Sequence, residues 1–346
     1  MKPSHFIHFF LLLLLTACQL ERTNYSDLSH QIASTLITTP KDEHYYYPVW
    51  LPDNKISFLT FPAGESPFTF PLPNEPALQL YDVKENSWNE IPFKSDANCD
   101  RTTLYFLQRL PDGKLGFVYG CLRFNSGINE KTIRSMDIGT GISKILVESS
   151  PEIKRMGPFS FSSDMSELME EDLRNNGLGN MVFFIRGKDT VQIASNFIRA
   201  MGPAWSPHKR QIAFWGTEDY PGKKPEDFQT SSDISFLANY PWDLYIADPE
   251  GGNLKRLLSS IKGMLDIKWS PKENVIAFSG TFENHPGIWL INPETAQLTR
   301  IWATMGDTEY FDWSPDGDKI VVVNSTIDDK FRVLKQEIRI INLHSK

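Results

Sequence analysis

Two of the three cysteines in the chain are spaced for disulfide chemistry. Cys99 and Cys121 flank TTLYFLQRLPDGKLGFVYG, whose apolar runs and central Pro-Asp-Gly predict a β-hairpin. Antiparallel pairing would bring the ends of that hairpin together, and an oxidising compartment would then permit a disulfide. Two buried free thiols are the alternative, because a shift in register would leave the Cα atoms more than about 7 Å apart.

The N-terminus has the composition of an export signal. Lys2 precedes an apolar run over residues 6–15, which is shorter than the roughly 20 residues that cross a bilayer. A positive start, a short apolar core and small residues at its end are typical of a cleaved secretory signal. We therefore predict a signal peptide over residues 1–17 and an extracytoplasmic location.

This signal ends in Leu15-Thr16-Ala17-Cys18, and the Leu-x-Ala-Cys ending resembles a bacterial lipobox. In a lipobox the cysteine thiol receives a diacylglyceryl group, and the chain is cut directly before that cysteine. The resemblance implies lipidation of Cys18, which would hold the protein on the cell membrane or the outer membrane. Residues 18–30 are then expected to be a polar tether. An ordinary secretory signal that ends in cysteine is the alternative.

Few other residues have the types and spacing that catalysis needs. The sequence contains no Gly-x-Ser-x-Gly nucleophile motif, and its histidines lack the paired spacing of a metal site. Asp112 and Asp316 occupy turn positions, where a carboxylate bonds to the backbone. The formal net charge of -8 provides no basic field for a nucleic acid. We expect no catalytic residue, metal, cofactor or nucleic-acid partner.

An internal repeat is the dominant pattern in the chain. Three segments align closely: MGPAWSPHKRQIAFWG from Met201, MLDIKWSPKENVIAFSG from Met264 and EYFDWSPDGDKIVVVNS from Glu309. Three looser copies begin at Val49, Leu107 and Phe159. Each copy reads as strand a, a tight turn and strand b, and the residues that follow read as strands c and d. Six such units predict an all-β fold, a six-bladed β-propeller of four-stranded antiparallel blades.

The repeated turn has a local chemical basis. In Ser-Pro-Asp-Gly, proline presets φ to about −65°, aspartate bonds the backbone ahead of it, and glycine accepts a positive φ. The preceding Trp205, Trp269 and Trp313 are large apolar residues suited to the space between sheets. Because one sheet cannot bury both of its faces alone, neighbouring blades are expected to cover them.

These Trp-Ser-Pro turns, with the following IAF or IVV strands and the later Asp/Asn-Pro-Glu turns, resemble the TolB-type propeller repeat, a relative of the WD-type repeat. The resemblance is close over residues 201–346 and looser over residues 45–200. It implies a propeller fold and an address in the cell envelope. TolB-type proteins carry an additional N-terminal α/β domain, for which there is no room between Cys18 and Tyr45. The resemblance therefore does not imply their Tol-Pal function.

Two insertions between strands b and c are candidate interaction loops. They are FPAGESPFTFPLPNEPA from Phe61 and TEDYPGKKPEDFQTSSDISFLANYPWD from Thr217. Long loops in a compact domain are often functional, and aromatic anchors suit protein or glycan recognition. The partner-binding candidates are Phe68, Phe70, Tyr220, Phe228, Phe236, Tyr240 and Trp242. The alternative is that these aromatic side chains pack onto their own blades.

Glycines recur where each inner strand is expected to begin, next to charged residues. Glycine lets strands crowd the propeller axis, which explains the pattern in structural terms. The neighbouring charges would then line the mouth of a central channel. The channel-mouth candidates are Arg155, Arg199, Lys262 and Asp307.

The sixth repeat lacks residues for an outer strand, and an unpaired edge would expose backbone donors and acceptors. Residues 31–40, QIASTLITTP, are rich in β-branched residues and end at a proline that cannot continue a ladder. We predict that residues 31–39 form the outer strand of blade six by pairing with residues 337–342. A disordered extension of the tether is the alternative.

The predicted domains are a signal peptide over residues 1–17, a tether over 18–30 and a propeller over 31–346. The expected protein is a monomeric, lipid-anchored module that binds a protein or glycan of the bacterial cell envelope without catalysis. Its membrane contact is through the lipid on Cys18. A polysaccharide-active enzyme, a lyase or glycosidase, is the alternative, because some propellers place acids around the axial channel.

Overall fold

The protein is a six-bladed β-propeller. The computed structural model describes residues 24–40, 43–62, 77–124, 128–148, 156–172, 181–187, 189–218, 240–263, 266–304, 308–328 and 333–344. Every regular element in these residues is a β-strand, and none of them forms a helix that could span a membrane. Inner strands of successive blades contact one another from blade one to blade five, and the inner strand of blade six contacts that of blade one. The predicted fold class is therefore confirmed.

Strands are numbered in chain order, and each blade runs from inner strand a to outer strand d. Blade one contains β3 (Glu43–Leu51), β4 (Lys55–Pro62), β5 (Ala77–Asp82) and β6 (Ser87–Glu90). Blade two contains β7 (Arg101–Arg109), β8 (Leu115–Arg123), β9 (Ile128–Met136) and β10 (Ser143–Glu148). Blade three contains β11 (Met156–Phe161), β12 (Leu168–Asp172), β13 (Met181–Arg186) and β14 (Asp189–Gln192).

The second half of the ring includes two strands from the N-terminus. Blade four contains β15 (Arg199–Trp205), β16 (Ile212–Thr217), β17 (Trp242–Ala247) and β18 (Lys255–Ile261). Blade five contains β19 (Ile267–Trp269), β20 (Ile276–Phe282), β21 (His285–Ile291) and β22 (Leu298–Ala303), and blade six contains β23 (Thr308–Trp313), β24 (Lys319–Ile327) and β25 (Val333–Asn342). The outer edges of blades five and six are completed by β1 (Tyr25–Asp27) and β2 (Ser34–Ile37).

The connections divide the propeller into two faces. The a–b and c–d turns lie on one side, the turn face, and the b–c connections and the links between blades lie on the other side, the loop face. The Ser-Pro-Asp-Gly turn of blade six shows the expected chemistry: the Ser314 amide donates to the Lys319 carbonyl at 2.9 Å, and the Ser314 hydroxyl donates to Asp316 Oδ1 at 2.5 Å. Gly317 has a φ of 74°. These local bonds fix the hairpin between strands a and b.

Tryptophans before the turns fill the space between blades, as predicted. Trp205, Trp269 and Trp313 are between 3% and 8% exposed, and each packs against residues of the preceding blade. Trp269 Nε1 donates to the Ala204 carbonyl at 3.0 Å, and Trp313 Nε1 donates to the Lys268 carbonyl at 3.3 Å. The repeated motif therefore provides both apolar and polar contacts between neighbouring sheets.

Blade six is closed by the N-terminal segment. β2 pairs antiparallel with β25, with Ser34 opposite Ile341 and Ile37 opposite Ile338. Ile37 is 4% exposed and belongs to the core between blades six and one. Backbone pairing and apolar burial thus join segments from the two ends of the chain. The predicted closing strand is confirmed, although it is shorter than residues 31–39.

A second N-terminal strand extends blade five. β1 runs parallel to β22, with Tyr25 opposite Leu298 and Asp27 opposite Arg300. An ion pair strengthens this contact, since an Asp27 carboxylate oxygen lies 3.3 Å from an Arg300 guanidinium nitrogen. These residues were predicted to belong to the tether over 18–30, so the folded propeller begins earlier in the chain than expected.

The hairpin of blade two brings its flanking cysteines together. Cys99 lies just before β7, and Cys121 lies in β8 opposite Thr102. The two cysteines are joined by a disulfide with their Cα atoms 5.4 Å apart. Of the two alternatives that the sequence left open, the structure contains the disulfide rather than two free thiols.

Candidate functional site

All six blades contribute to a cavity on the propeller axis. This central cavity has a volume of about 800 Å³ and is lined by residues of the inner strands and of the turns that follow them. Prolines, aromatic residues and a few charged groups surround it. Its size and its mixed lining are typical of sites that bind small ligands or single side chains.

A β-bulge between strands a and b in each of four blades shapes the central cavity. In blades one to four, strand a loses its register with strand b at Tyr47-Pro48, Phe106-Leu107, Gly157-Pro158 and Gly202-Pro203. Bulges of this kind re-aim a side chain and often lie beside binding sites. Tyr47 and Phe106 have φ values of 47° and 52°, which is a strained, left-handed backbone for aromatic residues. Both residues line the cavity.

Aromatic side chains from both halves of the ring line the cavity. Blades six, one and two present an aromatic wall of Tyr310, Tyr47 and Phe106. The ring centroids of Tyr47 and Tyr310 are 4.8 Å apart, and those of Tyr47 and Phe106 are 5.9 Å apart. Blades four and five present Gly202 and Gly263, which have positive φ and no side chain. Tryptophans of the same two blades, Trp205, Trp242 and Trp269, also line the cavity, so its aromatic lining suits a ring-shaped group.

Polar groups on this wall can bond to a ligand. Burial raises the pKa of Tyr47, and it raises the pKa of Tyr310 well above the ordinary value of 10.0, so both hydroxyls stay neutral at physiological pH. A neutral hydroxyl both donates and accepts a hydrogen bond. Gln108 also lines the cavity, and its buried amide nitrogen has no hydrogen-bond partner within the described part of the chain.

One lysine and two aspartates form the charged part of the cavity. Lys268 Nζ lies 3.3 Å from Asp312 Oδ1 and 4.0 Å from Asp266 Oδ2. Burial alone would lower the pKa of Lys268, but the two carboxylates outweigh it and raise that pKa. Burial raises the pKa of Asp266 despite the lysine charge. Asp266 therefore keeps its proton to a higher pH than an ordinary aspartate.

Two charged groups of the cavity, Asp312 and Arg109, also form hydrogen bonds across the contacts between blades. Asp312 Oδ2 accepts from the Trp50 amide at 2.8 Å, which joins blades six and one. Arg109 in blade two occupies the sequence position that tryptophan has in blades four, five and six. Its Nη1 donates to the carbonyls of Trp50 at 2.6 Å and Trp313 at 3.1 Å. Asp312 and Arg109 therefore stabilise the closed ring.

The side chains that line the cavity suit ligand binding better than catalysis. The aromatic wall can hold a ring, and Lys268 and Asp266 can bond to polar groups at its edge. An aspartate whose pKa is raised, close to a second carboxyl group, also provides the two carboxyl groups that glycoside hydrolysis requires. No three His, Cys, Asp or Glu side chains among the described residues are grouped to hold a metal ion.

Most of the predicted partner-binding residues cannot be placed. Phe68, Phe70, Tyr220, Phe228 and Phe236 lie outside the described residues. The other two end the second insertion and are half-buried. Trp242 lines the central cavity, with its ring 3.5 Å from the Arg199 guanidinium carbon, and the Tyr240 carbonyl accepts from Arg199 at 2.7 Å.

The four charged residues predicted to line the channel mouth do not lie together there. Arg155 and Asp307 lie outside the described residues. Lys262 is exposed and directly precedes Gly263, which lines the cavity. Arg199 requires a correction, because it is only 6% exposed and does not present its charge at a channel mouth.

Arg199 instead holds together the two ends of the second insertion. Its Nε donates to Thr217 Oγ1 at 3.0 Å, at the start of the insertion, and its Nη2 donates to the carbonyl of Tyr240, near the end of the insertion. Burial lowers the pKa of this guanidinium to about 10, so it remains charged beneath Trp242 at neutral pH.

The residues that define the site were missed by sequence reasoning, although two signals were present. Lys268 and Asp312 directly precede the tryptophans of Trp-Ser-Pro turns, where strand alternation points a side chain away from the tryptophan. Tyr47 and Phe106 stand three residues before Trp50 and Arg109, at the position where blade four has Gly202 before a proline. Aligning the six repeats position by position would have revealed both departures.

The fold and its axial cavity define a β-propeller with a ligand-sized central site. No protein-family model matches the chain. Over 86 residues the chain is 30% identical to the Tol-Pal system protein TolB of Alcanivorax borkumensis, a match that covers 25% of this chain and 20% of that protein.

Solved structures are similar to this chain in fold over most of its length. TolB from Acinetobacter baumannii has a TM-score of 0.53 at 16% identity, over 84% of this chain and 65% of that one. An alpha-L-arabinanase of Penicillium chrysogenum, complexed with arabinobiose, has a TM-score of 0.55 at 13% identity, over 90% and 98% of the two chains. The chain is thus a TolB-like propeller, and it spans less than two thirds of the length of these TolB proteins.

Proposed function

We propose that the protein is a lipid-anchored, extracytoplasmic binding module of the bacterial cell envelope, and that its protein or glycan ligand occupies the central cavity. The observation that carries this proposal is the aromatic lining of the central cavity, whose volume is about 800 Å³. Two aromatic residues hold strained backbone there, and such strain is typical of positions that serve a ligand.

The roles of the charged residues favour binding over catalysis. Asp312 and Arg109 are occupied by backbone groups of other blades. Lys268 is neutralised by its two carboxylate neighbours. A ligand would therefore meet a nearly neutral site, in which ring stacking and a few hydrogen bonds determine affinity.

Three features support the proposed location. The N-terminal sequence has the form of a lipoprotein signal ending at Cys18. The disulfide between Cys99 and Cys121 is a bond that persists in oxidising compartments. The chain is also similar over 86 residues to TolB, a Tol-Pal system protein. Attachment to the membrane is through the lipid on Cys18, and the propeller acts as a monomer.

Binding can be followed by intrinsic fluorescence, because Trp205, Trp242 and Trp269 line the cavity. Purified protein would be titrated with a panel of cell-wall glycan fragments and envelope-derived peptides. Phe106→Gly should abolish a fluorescence response while leaving the fold intact, since its φ of 52° suits glycine. Phe124→Gly, which changes a 65% exposed phenylalanine, is the matched control and should respond normally. A response that survives Phe106→Gly would place the ligand elsewhere.

A polysaccharide-active enzyme is the second candidate, favoured by the raised pKa of Asp266 close to Asp312. A carboxyl group that stays protonated can act as a general acid toward a glycosidic oxygen. Incubation with acidic and neutral polysaccharides tests this reading. Product formation that disappears in Asp266→Asn would support the enzyme, and product that persists in that variant would identify a contaminant.

A further inference from the structure

The direction of β1 determines where the chain leaves the propeller. β1 is parallel to β22, which starts after the c–d turn of blade five and runs from the turn face to the loop face. The first residue of β1, Tyr25, lies opposite Leu298, the first residue of β22. The segment that precedes Tyr25 therefore leaves the propeller at the turn face, on the outer edge of blade five.

Several contacts keep this exit point from shifting. The Tyr25 ring packs against Trp289 with centroids 5.0 Å apart, and Asp27 pairs with the 8% exposed side chain of Arg300. The Leu28 amide donates to the Arg300 carbonyl at 2.9 Å. Burial alone would raise the pKa of Asp27, but hydrogen bonds from Ser29 and the charge of Arg300 lower it, so the ion pair persists at neutral pH.

Only a short segment separates this exit from the proposed anchor. Asn24 is six residues from Cys18, and an extended chain of that length reaches about 20 Å. We infer that the turn face of the propeller, at blade five, is turned toward the membrane that holds the Cys18 lipid. This inference rests on the lipid anchor of the proposed function.

The charges on that face are compatible with a lipid surface. Lysine and arginine side chains there are paired with acids of neighbouring turns: Lys209 with Glu294, Lys272 with Asp318, and Arg210 with Glu250. Despite the net charge of -8, the turn face of blades four to six therefore presents mixed charges rather than an acidic patch to the headgroups.

The orientation has a consequence for ligand access. Lys262 and Gly263 mark the loop-face mouth of the central cavity, and both insertions leave their blades on the same face. With the turn face against the membrane, this mouth opens into the aqueous compartment. Residues of all six a–b turns line the opposite end of the cavity, so a ligand that enters there would have to pass between the propeller and the membrane.

Fluorescence quenching by the bilayer tests the orientation. The full-length lipoprotein, purified from membranes and reconstituted into vesicles with nitroxide-labelled headgroups, would carry one new thiol for a fluorophore. Gln297→Cys places it on the turn face of blade five, and Lys262→Cys places it on the loop face. The two sites are separated by the length of β20, which is about 20 Å. The disulfide and the acylated Cys18 do not react with the dye.

We expect quenching several-fold stronger at Gln297 than at Lys262, and a loss of this difference when a flexible Gly/Ser linker is inserted between residues 23 and 24. Equal quenching at the two sites, or stronger quenching at Lys262, would overturn the orientation while leaving the anchor intact. Failure of the protein to incorporate a clickable fatty acid would instead disprove the anchor, and the orientation with it.

Discussion

Ring closure by β2 can be tested with one side chain. Ile37→Ala removes a residue that is 4% exposed in the core between blades six and one. Truncation of a buried isoleucine to alanine costs about 2–5 kcal/mol. With about 2.1 cal/mol/K of unfolding entropy per residue, each kcal/mol shifts the melting temperature of a 346-residue chain by roughly 1.5 °C. The expected drop is therefore about 3–7 °C.

Leu36→Ala is the matched control, because Leu36 precedes Ile37 in the same strand but is 53% exposed. Its truncation should cost about 0.5 kcal/mol or less, a shift of under about 1 °C. Both variants would be compared with the wild type by differential scanning calorimetry. Equal melting temperatures for the two variants would show that β2 contributes no buried core and that the ring closes in another way.

Three further outcomes are expected. Mass spectrometry without reductant should find Cys99 linked to Cys121, and reduction should lower stability by about 3 kcal/mol, whereas two alkylatable thiols would refute the bond. Burial raises the pKa of Asp266 above 3.8, so the stability that its bound proton provides to the fold is lost as pH rises. The melting temperature of Asp266→Asn relative to wild type should therefore increase as pH is raised from about 4 toward neutral. A difference that stays constant with pH would contradict this. Trp242→Ala should lower the melting temperature by about 2 °C, because it removes the ring stacked on Arg199, and an unchanged value would mean that the stacking contributes nothing.

The blades could be predicted from sequence because their determinants are local. Pro-Asp-Gly specifies the a–b turns of blades two and six within a few residues, and blades one, four and five have a proline at the same position, so the repeat can be counted. The closing strand was also predictable, because a sixth blade without an outer strand requires one and residues 31–39 were the available β-rich segment.

β1 could not be predicted in the same way. Tyr-Ser-Asp is a three-residue polar segment, and its pairing depends on Arg300 and Trp289, which lie far along the sequence. Nothing local distinguishes such a segment from a tether. Only the assembled edge of blade five provides the ion pair and the aromatic surface that make it a strand.

The residues of the central cavity were difficult to predict from sequence for a related reason. Asp266 and Lys268 look like ordinary polar residues of an inner strand until the six strands are placed around one axis. Arg199 was assigned to a channel mouth because its neighbours resemble those of other inner strands. Its burial follows from contacts with Thr217 and Tyr240, which lie near the two ends of the second insertion.

Photo-crosslinking in living cells tests most directly whether the central cavity holds the ligand. Met201 lines the cavity next to Gly202, and Val191 is 43% exposed on the outer strand of blade three. Each would be replaced separately by p-benzoylphenylalanine, and adducts would be identified by intact mass. We predict a defined adduct at Met201 that is absent at Val191 and is lost when Phe106→Gly is added. No adduct at Met201, or the same adduct at both positions, would contradict the account.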